Sequence, residues 1–109
     1  MANVGEFLSV LLAASKDRAY VEAVEKMQRA FQELVLTEAE ARRTKTDTII
    51  RVMAKYDMEL QKFKRAYSLI DGQLTNDAKN VIDGYIKDVE NKRKMLAHEK
   101  KALATKKYN

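Results

Sequence analysis

The chain contains no cysteine, no proline and no tryptophan, and its 109 residues include only three glycines and one histidine. Without cysteine there can be no disulfide, no thiolate nucleophile and no cysteine-ligated zinc. Without proline the usual interruption of a helix is missing, so long helices can run until something else stops them. The lone histidine, His98, is followed by Glu99, but a zincin would need a second imidazole four residues after the first, where the chain has Ala102. His98 is therefore read as a solvent-facing imidazole. No apolar run approaches the roughly 18 residues of a membrane span. Residues 7–14 are apolar, but they follow Glu6 without a basic leader and do not read as a signal peptide. These absences lead us to expect a soluble, cytoplasmic protein of a single domain, 1–109, with no cofactor and no metal. Its carboxylates are scattered and no motif organises them into acid and base, so an enzyme is not expected.

What the chain does have is periodicity. Ile49, Met53, Tyr56, Leu60, Phe63, Tyr67 and Ile70 follow one another at alternating steps of four and three. Ala78, Ile82, Tyr85, Val89 and Leu96 keep the same alternation, which Leu103 extends. That spacing holds successive side chains on one face of a helix and makes each stripe a seam for another helix. The two seams flank a turn-like run from Asp71 to Thr75, so they are expected to pair antiparallel. Tyr67 would then face Ala78, Phe63 Ile82, Leu60 Tyr85 and Tyr56 Val89. Met53 would meet Lys92, whose aliphatic stem would cover the sulfur while its ammonium reached water. Tyr56, Tyr67 and Tyr85, at seam positions, read as core aromatics rather than as a stacking platform for bases.

Local signals divide the chain into four helical segments, 3–15, 17–36, 38–70 and 75–107. Asn3 with Glu6 resembles a capping box, and Ser15 and Asp17 are candidate caps for the second segment. Thr37 with Glu40 is a better capping box, and it places the start of the third segment at Glu38. That junction has no Gly or Pro, so a continuous helix is the alternative there. Gly72 is expected to end the third segment in a left-handed cap, with Thr75 opening the fourth. The faint calcium-loop character of Asp71, Gly72, Asn76 and Asp77 lacks the required ligand spacing. Gly84, inside a helix, hints at close approach of a neighbouring helix or is a neutral surface glycine. The fold class expected is all-α: a helical bundle built on a long, coiled-coil-like antiparallel hairpin, with two N-terminal helices.

Two surfaces stand out as sites. Net charge is +5, and residues 92–109 account for all of the excess, with seven basic residues against one acidic. Pairing of the hairpin arms would bring Arg42, Arg43 and Lys45 beside Lys100 and Lys101, with Lys106 and Lys107 just beyond. Such a basic end could meet nucleic-acid phosphates without reading sequence, or could be only the solvated face that long helices need. Helix-turn-helix regulators need a short recognition helix after a tight turn, which arms of this length do not offer. The second surface is apolar. Tyr20, Val24, Met27, Phe31 and Leu34 form a stripe on the second segment, and Ile50 and Val52 adjoin the seam of the third. Together they form a candidate docking or dimer face. The function expected is a non-enzymatic protein-protein interaction module, acting as a homodimer. Weak nucleic-acid binding through the basic end is the alternative, and membrane attachment is not expected.

Overall fold

The computed structural model describes residues 4–14, 17–42 and 49–107, with the side chains of the last helix described through residue 99. These residues form a bundle of four α-helices: α1 Val4–Ala14, α2 Arg18–Arg42, α3 Ile49–Ser68 and α4 Asn76–Lys107. A single 3-10 turn, Asp71–Gln73, separates α3 from α4. Among the described residues there is no strand. The molecule is a rod of 59 × 22 × 21 Å, two helix diameters across. None of the helices is long and apolar enough to cross a membrane among the described residues.

Each helix start that is described has a physical cause. The Asp17 carboxylate accepts the Ala19 N–H at 3.1 Å and opens α2, while the Thr75 hydroxyl oxygen accepts the Ala78 N–H at 3.1 Å and opens α4. Both satisfy a first-turn donor that has no partner within the helix. The expected caps at Asn3 and Ser15 lie outside the described residues.

The junction expected at Thr37 is not there. Thr37 lies inside α2, fully buried, and its hydroxyl donates to the Glu33 carbonyl at 2.7 Å. A capping box and a mid-helix threonine share the same letters. Here the hydroxyl is satisfied one turn back, and nothing in residues 34–42 breaks a helix. The apolar stripe of α2 continues from Leu34 through Thr37 to Ala41. The helix therefore runs to Arg42, and α3 is described from Ile49 rather than from Glu38.

α2 packs back along α3. Ion pairs Lys55–Glu33 at 3.6 Å and Arg51–Glu40 at 2.7 Å mark the antiparallel register. The seam of α3 is buried almost throughout, with Phe63, Ile49, Tyr56 and Ile70 at 0–2 % exposure. It meets Ile82, Val89 and Leu96 of α4 and Val24, Met27 and Leu34 of α2 in one core. Tyr85 sits where the three helices converge, its ring centroid 5.3 Å from Phe63 and 5.4 Å from Phe31, both tilted. α1 packs on α2 and α4. It buries Leu8 completely and ties Ser9 to Gln28 across the interface at 3.3 Å.

The pairing of α3 with α4 is antiparallel but slides along from the expected layers. Phe63 makes its ring contact with Tyr85, nearly a turn beyond Ile82, and the ion pairs Arg93–Asp57 and Lys64–Glu90 are displaced in the same sense. The connection takes up the difference. Successive tight bonds, Ile70 N–H to Tyr67 O, Gln73 N–H to Ile70 O and Leu74 N–H to Asp71 O, wind residues 67–74 beyond the end of α3. Gly72 belongs to that 3-10 turn and has no positive φ, so the left-handed cap does not form. Gly84 faces open space. A Cβ there would have nothing within 4 Å, and close helix approach is not its reason.

Candidate functional site

Three helices packed as a rod present three grooves, and their charges are arranged differently in each. The α3–α4 groove pairs most of its charges across the two helices and leaves Lys94. Arg93 forks onto Asp57 through two hydrogen bonds of 3.0 and 3.1 Å, and Lys64 Nζ lies 3.1 Å from Glu90. The α2–α4 groove is occupied by α1 toward the turn end and is crossed by Lys92. That ammonium donates to Glu38 at 2.9 Å and to Asp88 at 3.1 Å. Burial alone would lower the Lys92 pKa, but the hydrogen bonds to Glu38 and Asp88 outweigh it and the net shift is upward. The ammonium expected to reach bulk water is thus an inter-helix tie. Burial also raises the Tyr56 and Tyr85 hydroxyls alongside, with the Glu38 charge adding to it.

The α2–α3 groove lies on the side of the rod away from α4, and it is larger than the α3–α4 groove. Its volume is about 680 Å³ against about 340 Å³ for the α3–α4 groove. Its floor is small, Ala30 of α2 and Ala66 of α3. Its rims carry Lys26 and Arg29 on one side and Lys62 and Arg65 on the other. Glu59 and Glu33 also line it, but each has a lysine: Lys62 lies 3.3 Å from Glu59, and Lys55 lies 3.6 Å from Glu33. Glu59 is only 5 % exposed, so its carboxylate belongs to the interface rather than to solvent. Among the described residues Lys26, Arg29 and Arg65 make no ion pair. Exposed apolar side chains continue the same helical stripes. Leu69 is 67 % exposed one turn beyond Arg65, Met58 is 51 % exposed one turn before Lys62, and Leu36 is 58 % exposed one turn beyond Gln32.

The surfaces expected from the sequence fare differently. The apolar face is mostly interior: Tyr20, Val24, Met27, Leu34 and Val52 are buried in the chain's own core, and Phe31 is half-buried against Tyr85. Only Ile50 remains exposed. The stripe expected as a docking or dimer face is thus, in this fold, mostly taken into the chain's own core. At the basic end, Arg42 ends α2 with its guanidinium 3.2 Å from Glu38, one turn back. Arg43 and Lys45 lie outside the described residues, as do the side chains of Lys100, Lys101, Lys106 and Lys107, although α4 extends to Lys107. His98 is exposed. Among the described residues no cluster of three or more His, Cys, Asp or Glu is placed to hold a metal ion.

Lys26, Arg29, Lys62 and Arg65 did not stand out in the sequence. One signal was available. Arg51, Lys55, Met58, Lys62, Arg65 and Leu69 keep the same four-three alternation as the seam, so a cationic stripe with apolar members runs beside it on α3. No protein-family model, curated protein or solved structure matches the chain.

Proposed function

We propose that this chain is a non-enzymatic interaction module that receives a protein partner across the α2–α3 groove. One observation carries the reading: cations without ion pairs face one another over an alanine floor, with exposed Leu69 and Met58 along the same stripe. Like charges held together across a groove repel, and each exposed large apolar side chain leaves surface in water. A partner carrying acidic and apolar groups relieves both. In the α3–α4 groove Asp57, Lys64, Glu90 and Arg93 pair across the two helices and Lys94 alone is left, and in the α2–α4 groove Lys92 is held by Glu38 and Asp88, so neither offers a comparable incentive. A homodimer built on the α2 stripe loses its motive, since that stripe is already covered.

A photo-crosslinking amino acid at Gln32 in the groove, with a matched one at Gln61 in the α3–α4 groove, tests the reading in the native host. Discrete, heavier protein adducts from position 32 and none from position 61 are expected. Equal adducts from both positions, or none from either, would overturn it. An adduct of twice the chain's mass would replace the partner with a second copy, and a nuclease-sensitive adduct would replace it with nucleic acid.

A further inference from the structure

We infer that the occupant of the α2–α3 groove is an acidic amphipathic helix of another protein. This rests on the interaction-module reading above and adds the chemistry of the partner.

Shape comes first. Two antiparallel helices in contact leave a concave channel on each side, sized for the ridge of a third helix. On one side of the α2–α3 pair that third helix is α4. The other side is open, and its alanine floor lets a helix approach closely. Charge comes second. With Glu59 and Glu33 already held by Lys62 and Lys55, the unpaired groups left are Lys26, Arg29 and Arg65, all positive. Aspartates or glutamates on the incoming helix would pair with them in a partly desolvated channel, where such pairs are stronger than in open water. Spacing comes third. Met58 lies on α3 and Leu69 directly follows its last residue, Ser68, so they bracket the charged stretch at a spacing of about 16 Å, counted at 1.5 Å per residue. The matching helix therefore carries apolar residues at both ends of a run about three turns long and acids between them, all on one face.

A nucleic acid fits the same groove less well. Phosphodiesters make no use of Met58 and Leu69, and no aromatic side chain lines the channel to stack a base.

The test is a selection on the full-length chain with a displayed library of random peptides of about 16 residues, long enough for four helical turns. Enriched peptides are then measured against the chain, against a Lys26→Glu/Arg65→Glu variant and against a Met58→Ser/Leu69→Ser variant. All of these changes are at exposed positions, and circular dichroism establishes that each variant is folded. The expected winners carry Asp or Glu between apolar residues at helical spacing. They should bind about tenfold or more weakly to the charge-reversed variant and several-fold more weakly to the serine variant. Winners without an acidic bias, or winners indifferent to charge reversal, would overturn the partner chemistry while leaving the chain an interaction module. An empty selection would overturn both. A mixed-sequence DNA duplex at about 0.15 M salt is the parallel probe. If the duplex binds more tightly than any winner and is lost on charge reversal, the occupant is nucleic acid instead.

Discussion

The α3–α4 and α2–α3 grooves share one helix and face opposite ways, yet they treat their charges in opposite fashion. On the α4 side, Asp57 and Lys64 of α3 each meet an opposite charge from α4. On the α2 side, Lys62 and Arg65 lie opposite Lys26 and Arg29, and of the acids present Glu59 is taken up by Lys62 and Glu33 by Lys55. The first groove is complete as folded but for Lys94 at its edge. The second holds Lys26, Arg29 and Arg65, which make no ion pair among the described residues. Exposed surface ion pairs are worth little to stability, so the difference concerns specificity more than folding energy. One groove locks the register of α4 against α3, and the other is left for recognition.

The largest effect should come from the floor that both grooves stand on. Phe63 is fully buried and packs against Tyr85, which also touches Phe31 of α2. Phe63→Ala should cost about 3–5 kcal/mol, through lost burial and the cavity left behind. Urea denaturation followed by circular dichroism measures it. A cost below about 1 kcal/mol would mean that α3 is not the common wall of the two grooves.

Next in size is an alkaline transition confined to the α4 side of α3. Burial, reinforced by a hydrogen bond to Asp83, raises the Tyr67 hydroxyl from 10.0 to about 12. Burial also raises Tyr56 and Tyr85. In the unfolded chain these tyrosines lose their protons around pH 10, before the folded ones do. Between those values the unfolded state binds fewer protons, and stability falls as pH rises. Lys92 acts in the same direction, because its raised folded pKa gives stability that is complete below its ordinary value of 10.5 and is lost as pH passes through the folded one. Denaturation midpoints should therefore hold up to about pH 9 and decline above pH 10. Tyr67→Phe should make that decline shallower, whereas an unchanged slope would show that Tyr67 is not held protonated by its surroundings.

The two grooves also differ in how far they could be read in the sequence. The α3–α4 pairing was visible because a four-three alternation repeats on both sides of a turn, and Ile49 to Ile70 and Ala78 to Leu96 are buried almost as the pattern requires. Its register was not. The length taken up by the 3-10 turn at Asp71–Gln73 depends on backbone bonds that residue types alone do not dictate. The α2–α3 groove needed one more fact, that α2 runs on to Arg42 rather than ending before Thr37. Local chemistry at Thr37 fits a cap and a mid-helix position equally well. The choice is made by tertiary packing, which buries Thr37 fully and sets Ala41 against the core. Once α2 folds back along α3, the stripe of Tyr20, Val24, Met27 and Leu34 changes from a docking face into core. The unremarkable outward residues Lys26 and Arg29 become one wall of the groove.

The smallest effects separate the grooves most sharply, because the same chemical change is made in each. Arg93→Gln and Lys26→Gln each remove one positive charge from an α-helix and keep a long polar chain of similar helix propensity. Arg93 loses two hydrogen bonds to Asp57, at 3.0 and 3.1 Å, and leaves that carboxylate without its fork. Because the pair is partly exposed, the expected cost is about 0.5–1 kcal/mol, shrinking in 1 M salt. Lys26 has no ion pair to lose and faces Arg65 and Lys62 across the channel. Removing its charge should relieve repulsion, so Lys26→Gln should be neutral or stabilising by about 0.3 kcal/mol, and this gain too should fade in high salt. Parallel urea titrations of the two variants at low and high salt read both numbers. Opposite signs at low salt that converge at high salt are expected. If Lys26→Gln destabilises as much as Arg93→Gln, the lysine has an intramolecular partner and the α2–α3 groove is as complete as its neighbour.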